Sequence, residues 1–498
     1  MKPKFGNKVY VTFLLLMALS ACTVGPRYSK PAVATPPAYK ELAGGNDQWK
    51  VASPSDGVLK GKWWELFGDP QLNKLEEMVS VSNQNVKQAE AQFREARALV
   101  AYNRAGYFPT IGVGPSLTAS QGSGGSSSNG SATGRGVSSF FSIPFSASWE
   151  PDLWGRVRLM VENATANAQA SAADLENIRL SMQSQLAVDY FNMVGLDMET
   201  KLLTDTMDAY DKALQLTINR FNGGVASKAD VAQARTQLET TRASLTDLGV
   251  SRAQFEHAIA VLTGQPPANL TVAAGKIAAP PPPIPAGLPS QLLERRPDIA
   301  ASERQMAAAN AEIGLARAAY FPTLSLSASA GLQASSVGSL FAWPARFWSV
   351  GPSLSETLFD FGRRRAQLQE SEAAYDATVA GYRETTLTAF QQVEDNLAAL
   401  RILAVEADQL DVAVKAAEES LRLELDRYKA GTDSYLNVIT TQTIALGDER
   451  TAVQLLERRM VSAVQLMTAL GGGWDASSLP SPADLKTASK TNTPAPAH

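Results

Sequence analysis

Few side chains in this sequence could carry covalent or acid–base chemistry. The 498 residues include two histidines, His257 and His498, and one cysteine, Cys22. A histidine acts as acid, base or metal ligand only beside a group of complementary chemistry. His257 sits next to Glu256 in a stretch of helical periodicity and reads as a satisfied wall residue, and His498 ends a polar tail. No zinc-protease, phosphate-loop or dinucleotide pattern occurs. The carboxylates follow helical faces, with no isolated pair set apart for acid and base roles. Met182, Met193, Met198 and Met207 offer thioethers to a soft metal such as copper, but filling a helix seam is the favoured reading of unbranched apolar side chains. The expectation is no catalytic residue, no cofactor and no metal.

Cys22 asks for a different role. Lys2, Lys4 and Lys8 precede an apolar stretch from Val9 to Ala18, then Leu19-Ser20-Ala21-Cys22, which reads as a secretory signal over residues 1–21. A lone thiol cannot form an internal disulfide. Its position resembles the bacterial lipobox, where the cysteine becomes the acylated N-terminus; the plainer reading is an ordinary signal peptide with an incidental cysteine. Thr23, not Asp, follows, which by the same resemblance points to the outer membrane. Buried acyl chains at about 0.8 kcal/mol per CH₂ would make a firm anchor. The formal charge of -4 offers no basic footprint for nucleic acid. Beyond the N-terminus no apolar run reaches the roughly 18 residues of a spanning helix.

Two long proline-free runs, Gly155 to Asn219 and Gly362 to Asp426, dominate the rest. Either one as a continuous helix would measure about 98 Å at roughly 1.5 Å per residue. Leu175, Ile178, Met182, Leu186, Tyr190 and Met193 keep helical spacing in the first, and Leu387, Phe390, Val393, Leu397, Leu400 and Leu403 in the second. Such steps make a narrow seam for other helices. The alanines at 164, 166, 168, 170, 172 and 173 allow close approach. The runs read as two rods in a packed helical wall.

The chain is duplicated. Tyr107-Phe108-Pro109-Thr110 returns as Tyr320-Phe321-Pro322-Thr323 at an offset of 213, Asp152 and Gly155-Arg156 return as Asp360 and Gly362-Arg363 at about 208, and Arg220 to Val231 returns as Arg427 to Val438 at 207. Near-constant offsets mean an internal repeat. The resulting organisation is a signal peptide at 1–21, a tether and equatorial segment at 22–70, a first repeat at 71–264, a Pro-rich linker at 265–290, a second repeat at 291–473 and a disordered tail at 474–498. One helix is expected from about Gln71 to Arg104, another of similar length from Gln291, and two more opening at Ser227 and Ser434, where Ser227 with Asp230 makes a capping-box pattern.

Between the helices four stretches alternate with a period of two, at about 109–121, 137–150, 322–334 and 347–359. Phe141, Ile143, Phe145, Ala147 and Trp149 alternate with Ser142, Pro144, Ser146 and Ser148; Trp348, Val350, Leu354 and Leu358 alternate with Ser349, Gly351, Ser353 and Thr357. An apolar face backed by Ser, Gly and Thr suits lipid on one side and a water-filled lumen on the other. Four strands cannot close a membrane barrel, the smallest having about eight, and an open edge in lipid is prohibitive. Copies must therefore join; twelve strands from a trimer is the favoured reading, with dimers and tetramers left open by the residues alone.

Cys22-Thr23-Val24-Gly25-Pro26-Arg27-Tyr28, Trp63-Trp64 to Leu72, Leu293-Glu294-Arg295-Arg296-Pro297-Asp298-Ile299, Ala316 to Thr323 and Arg427-Tyr428-Lys429-Ala430-Gly431-Thr432 together resemble the TolC-type outer-membrane efflux channels, lipoprotein branch (NodT/OprM-like outer-membrane factors). The resemblance implies a mainly helical fold with a small β part: long helical hairpins forming a periplasmic tunnel, and four transmembrane strands per chain in a twelve-stranded homotrimeric barrel. It implies a passive duct in a tripartite pump, docked on a periplasmic adaptor and an inner-membrane transporter, commonly of the proton-driven resistance-nodulation-division class. Hairpin tips Gly223, Gly224, Val225 and Ser227, with Gly431, Thr432 and Ser434, would meet the adaptor; helix capping alone also explains their types. A gate of leucine and acidic rings in relatives maps to Leu436 and to Thr440, where the acid is absent, leaving Asp433, Tyr428 and Lys429 as candidate latch residues. The alternatives are the outer-membrane channel of a type I protein secretion system and a lipid-anchored periplasmic coiled-coil scaffold, which leaves the strands unexplained.

Overall fold

A computed structural model of the chain describes residues 24–42, 61–121, 137–284 and 289–486. Cys22 and the signal segment, residues 43–60 of the tether, the segment 122–136 between the first two alternating stretches, residues 285–288 of the linker and residues 487–498 of the tail lie outside the described residues. In chain order the helices are α1 (Pro70–Ser82), α2 (Gln84–Ala105), α3 (Arg156–Asn222), α4 (Lys228–Leu262), α5 (Leu292–Arg295), α6 (Pro297–Ala318), α7 (Arg363–Ala430) and α8 (Tyr435–Ala469). The strands are β1 (Thr110–Val113), β2 (Ser116–Gln121), β3 (Val137–Trp149), β4 (Thr323–Ala334) and β5 (Arg346–Ser355).

The rods are single helices. α3 has 67 residues and α7 has 68, each about 100 Å long. The same local device starts both. Asp152 accepts the backbone N–H groups of Val157 and Arg158 at 2.9 Å each, and Asp360 accepts those of Gly362 and Arg364 at 3.2 Å each. A carboxylate there satisfies first-turn donors and complements the positive helix end.

Against α3 lie α2 on the strand side, where Val100 meets Ala164 and Ala168 and Val86 meets Leu175, and α4 on the far side, where Ala234 and Leu238 meet Leu214. Small residues set the spacing near the strands. A β-carbon on Gly314 would stand 2.8 Å from Leu159 of α3, and one on Gly25 would stand 3.0 Å from the Gly314 backbone. The main core lies at mid-height, around buried Trp63 and Trp64 with Leu72, Tyr190, Val393 and Met467. The two indoles meet edge to face at 5.9 Å.

Three expectations are corrected here. The helix expected from Gln71 to Arg104 breaks at Asn83, which is extended (φ -61, ψ 130); its side chain accepts the N–H groups of Asn85 and Val86, so a new helix begins. The helix expected from Gln291 breaks at Arg296 (φ -101, ψ 124), because Pro297 disfavours helical backbone in the residue before it. The tail is ordered from 474 to 486: Leu485 is buried against Ala164, Ala168 and Val100, and the Pro480 carbonyl accepts from Gln169 at 3.0 Å. Small side chains on α2 and α3 leave a shallow seat that one leucine fills.

The sheet order is β1-β3-β4-β5, all neighbours antiparallel, with β2 continuing the β1 edge along β3. The first strand is interrupted at Gly114 and Pro115, where proline has no N–H to donate. β5 ends at Ser355, so Leu358 lies beyond the sheet.

Candidate functional site at the two ends of the wall

Strand register decides what the sheet presents. Across it Val113 pairs with Phe145, Phe145 with Ala330, and Ala330 with Trp348. On the opposite face Gly112 pairs with Ser146, Ser146 with Ser329, and Ser329 with Ser349. Towards the helices the alternation therefore adds up over the strands into one apolar face and one hydroxyl-lined face, while at the far end Phe140 and Phe347 fall on the hydroxyl face and Arg346 on the apolar one. The apolar face is uncovered: Ile111 is 76% exposed, Val350 73% and Trp348 79%. A continuous apolar surface of this extent needs a partner phase, and lipid fits it. Among the described residues no helix is long and apolar enough to cross a membrane.

The N-terminal segment runs back to this end. Val24 N–H reaches the Trp154 carbonyl at 3.4 Å, the Pro26 carbonyl accepts from Asn310 at 3.1 Å, and the Tyr28 hydroxyl donates to Glu303 at 2.5 Å. The chain is thus pinned at the β3–α3 junction two residues after Cys22, which itself lies outside the described residues.

The other end is closed by two tight turns. Gly223 ends α3, and Gly224 is left-handed at φ +77. Val225 is 69% exposed at the apex, and Ser227 forms the capping box with Asp230 at 2.8 and 3.1 Å. In the second turn Gly431 is left-handed at φ +80 and Thr432 donates both N–H and hydroxyl to the Arg427 carbonyl at 3.1 Å. Ser434 makes no side-chain cap: its repeat partner for the box is Asn437, which instead donates to Asp433 at 2.7 Å. Asp433 also accepts from Ser434 N–H at 2.7 Å and pairs with Arg427 at 3.2 Å. The Ser434 N–H above all, with side-chain hydrogen bonds such as that from Asn437 and then the Arg427 charge, holds the Asp433 carboxyl below the usual range.

The latch candidates separate in space. Tyr428 is buried, packed with Tyr435 at 5.2 Å between ring centres, with Leu214, Leu238 and Val438 around them. Burial pushes Tyr435 up to about 12, so its phenol is a neutral packing group. Lys429 is exposed and pairs with Asp426 at 3.3 Å. Leu436 is 58% exposed, and the exposed Thr440 turns its hydroxyl back onto the Leu436 carbonyl at 3.0 Å. Besides that packing, a tie between the two hairpins comes from a residue the motif reading passed over. Arg220 donates Nη1 to the carbonyls of Tyr428 at 2.6 Å and Lys429 at 3.3 Å, with its guanidinium 4.5 Å from the Tyr428 ring centre. The available signal was a last-turn arginine kept in both repeats.

Residues 77–265 and 288–472 match the sequence profile described as "Outer membrane efflux protein". This chain belongs to the outer membrane efflux protein family. It is an outer-membrane efflux channel subunit whose family consists of channel proteins. Over 463 residues it is 33% identical to the toluene efflux pump outer membrane protein TtgC of Pseudomonas putida, covering 92% of this chain and 93% of that one. It is 30% identical to outer membrane protein OprJ of Pseudomonas aeruginosa over 479 residues, covering 95% and 97%. Its fold is similar to the outer-membrane channel OprN (TM-score 0.84, 30% identity, covering 91% and 100%) and to the open state of the Neisseria gonorrhoeae MtrE outer membrane channel (TM-score 0.78, 28% identity, covering 91% and 99%). In this outer-membrane efflux channel protein the sheet with its uncovered apolar face stands at one end of the helical wall and the two glycine turns at the other.

Proposed function

We propose that this chain is one third of a closed conduit, a homotrimer with a twelve-stranded barrel that passively carries small molecules from an inner-membrane transporter and periplasmic adaptor to the outside. One observation carries the reading: a sheet with a continuous apolar face and two open edges, β1 with β2 at one side and β5 at the other. In lipid each unpaired backbone group costs several kcal/mol, so the edges must meet those of other copies. The duct needs no catalytic centre, since energy is spent at the inner membrane. Acylation of Cys22 would add a lipid anchor, and the placement of Val24 beside Trp154 supports it. The exposed turns around Val225 and Thr432 suit docking to an adaptor, with a transporter of the resistance-nodulation-division class behind it. Relatives are named for toluene and for antibiotic efflux. A lumen lined by Ser, Gly and Thr selects weakly, so cargo is set by the pump.

Native mass measurement in detergent together with conductance in planar bilayers tests the conduit. A trimer that conducts is expected; a stable monomer that never permeabilises lipid would sink the reading. Intact mass of the N-terminal peptide, with Cys22→Ser as control, tests the anchor separately.

A further inference from the structure

A cavity of about 480 Å³ opens between the two hairpins, beside the core that holds Tyr210, Tyr428 and Tyr435. α3, α7 and α8 each supply part of its wall, so one chain builds it alone. Five half-buried leucines make the apolar lining: Leu202 and Leu216 of α3, Leu421 and Leu425 of α7, and Leu446 of α8. That size and lining suit a small organic molecule, provided a few polar groups fix its orientation.

The polar groups on offer are acceptors. Gln442 lines the cavity at 3% exposure, and its Oε1 has no hydrogen-bond partner among the described residues. An unpaired buried amide oxygen is costly and calls for a donor. Two turns along α8, Glu449 lines the same cavity and forms no hydrogen bond or ion pair among the described residues. Burial, and after it the Glu418 carboxylate, holds the Glu449 carboxyl above the usual range. A half-buried acid facing a second acid is relieved by a positive charge between them. The other charges around the cavity are mostly taken up: Asp205 pairs with Lys201 at 2.9 Å, and Lys429 with Asp426 at 3.3 Å. Lys212 lines the cavity from the exposed side of α3, so two carboxylates face one ammonium group and the balance stays negative. The hairpin itself does not require acceptors there. The repeat offset of 207 puts Arg235 and Arg242 of α4 where α8 carries Gln442 and Glu449, and both helices have 35 residues.

The geometry points to a binding site for a hydrophobic organic ammonium ion, its charge beside Glu449, one N–H donated to Gln442 Oε1 and its apolar body against the five leucines. A molecule seated there touches α3, α7 and α8 at once and so ties the first hairpin to the second. Because one chain supplies the whole lining, the site stands apart from how copies assemble.

Equilibrium dialysis of phenylbutylamine against the full-length protein in detergent, with detergent alone as blank, tests the site at pH 8, where the amine is a cation. One amine bound per chain is expected, together with a higher melting midpoint, since a ligand of the folded state alone stabilises it. Phenylbutyrate, with a similar body and the opposite charge, should bind at least tenfold more weakly. Glu449→Gln, which keeps the shape and removes the charge, should weaken amine binding several-fold, as should Gln442→Leu. Ala209→Trp, which fills the exposed mouth of the cavity on α3, should abolish it. Circular dichroism checks that each variant is folded, and if Gln442→Leu is not, the isosteric Glu449→Gln decides. Equal uptake of amine and carboxylate, undiminished uptake in Glu449→Gln and Ala209→Trp, or no uptake above the detergent blank overturns the site.

Discussion

Asn83 and Arg296 hold the same place in the two halves of the chain, and each donates a side-chain N–H to the last-turn carbonyl of the returning hairpin helix. Asn83 reaches Leu262 at 2.8 Å and Arg296 reaches Ala469 at 3.0 Å. The pairing is closed from the other side by left-handed glycines, Gly264 at φ +72 against the Ser82 carbonyl and Gly471 at φ +93 against the Arg295 carbonyl. Helix ends leave carbonyls without partners, and a buried one is costly. The break in each short helix is therefore what supplies the donor that closes the wall at mid-height.

Asn83→Ala removes two cap hydrogen bonds and the donor to Leu262, and we expect a loss of about 2 kcal/mol, read by thermal or urea melting followed by circular dichroism. Asn83→Asp keeps the cap acceptor and loses only the donor, so its loss should be smaller. Gly471→Ala combines a strained φ with collision against the Arg295 backbone and should cost more than either. Equal stability of all three variants with the parent would refute the joint.

Arg220→Ala removes a donor from the carbonyls of Tyr428 and Lys429 and so takes away one tie between the hairpins at the tip. Leu436→Ser, with or without Thr440→Ala, alters the exposed side of the same turn. Both changes should raise ion leakage through the purified protein in planar bilayers. Unchanged conductance in Leu436→Ser would remove that residue from the entrance, and unchanged conductance in Arg220→Ala would make its contacts purely structural.

Burial, and after it the Glu199 carboxylate, pushes Glu457 up to about 7. The native state then keeps a proton that the unfolded chain has released, so stability is greatest at low pH and falls as pH rises through the window from about 4.5 to about 7. Glu457→Gln should flatten that dependence and raise the melting midpoint at pH 8 more than at pH 5. The opposite slope would show that Glu457 is ionised and paired in the folded protein.

Register assigns neighbouring residues of β5 to opposite phases. Val350→Arg would put a charge on the lipid face, at about 2–4 kcal/mol near mid-membrane, and should cut the yield of folded protein in the outer membrane. Ser349→Arg, on the hydroxyl face, should fold and change single-channel conductance instead. Equal tolerance at both positions would contradict the assignment of faces.

Much of this architecture was legible because it is written locally. A two-residue period and a proline-free run with a helical seam are properties of neighbours, and with three near-constant offsets they were enough to name rods, strands and duplication, while the family rested on the resemblance of five short motifs. The sequence by itself determined that Phe145 and Ser146 face opposite ways; that Phe145 shares its face with Val113, Ala330 and Trp348 was decided by register. Periodicity placed neither break in the short helices: at Arg296 the deciding signal is the local Pro297, whereas at Asn83 the local cap is joined by a carbonyl 179 residues away. The tie from Arg220 to Tyr428 spans 208 residues, and Leu485 became ordered because small side chains on distant helices leave it a seat. Local free energies set each element's type and phase, whereas satisfying buried polar groups and filling gaps requires partners that only folding brings within reach.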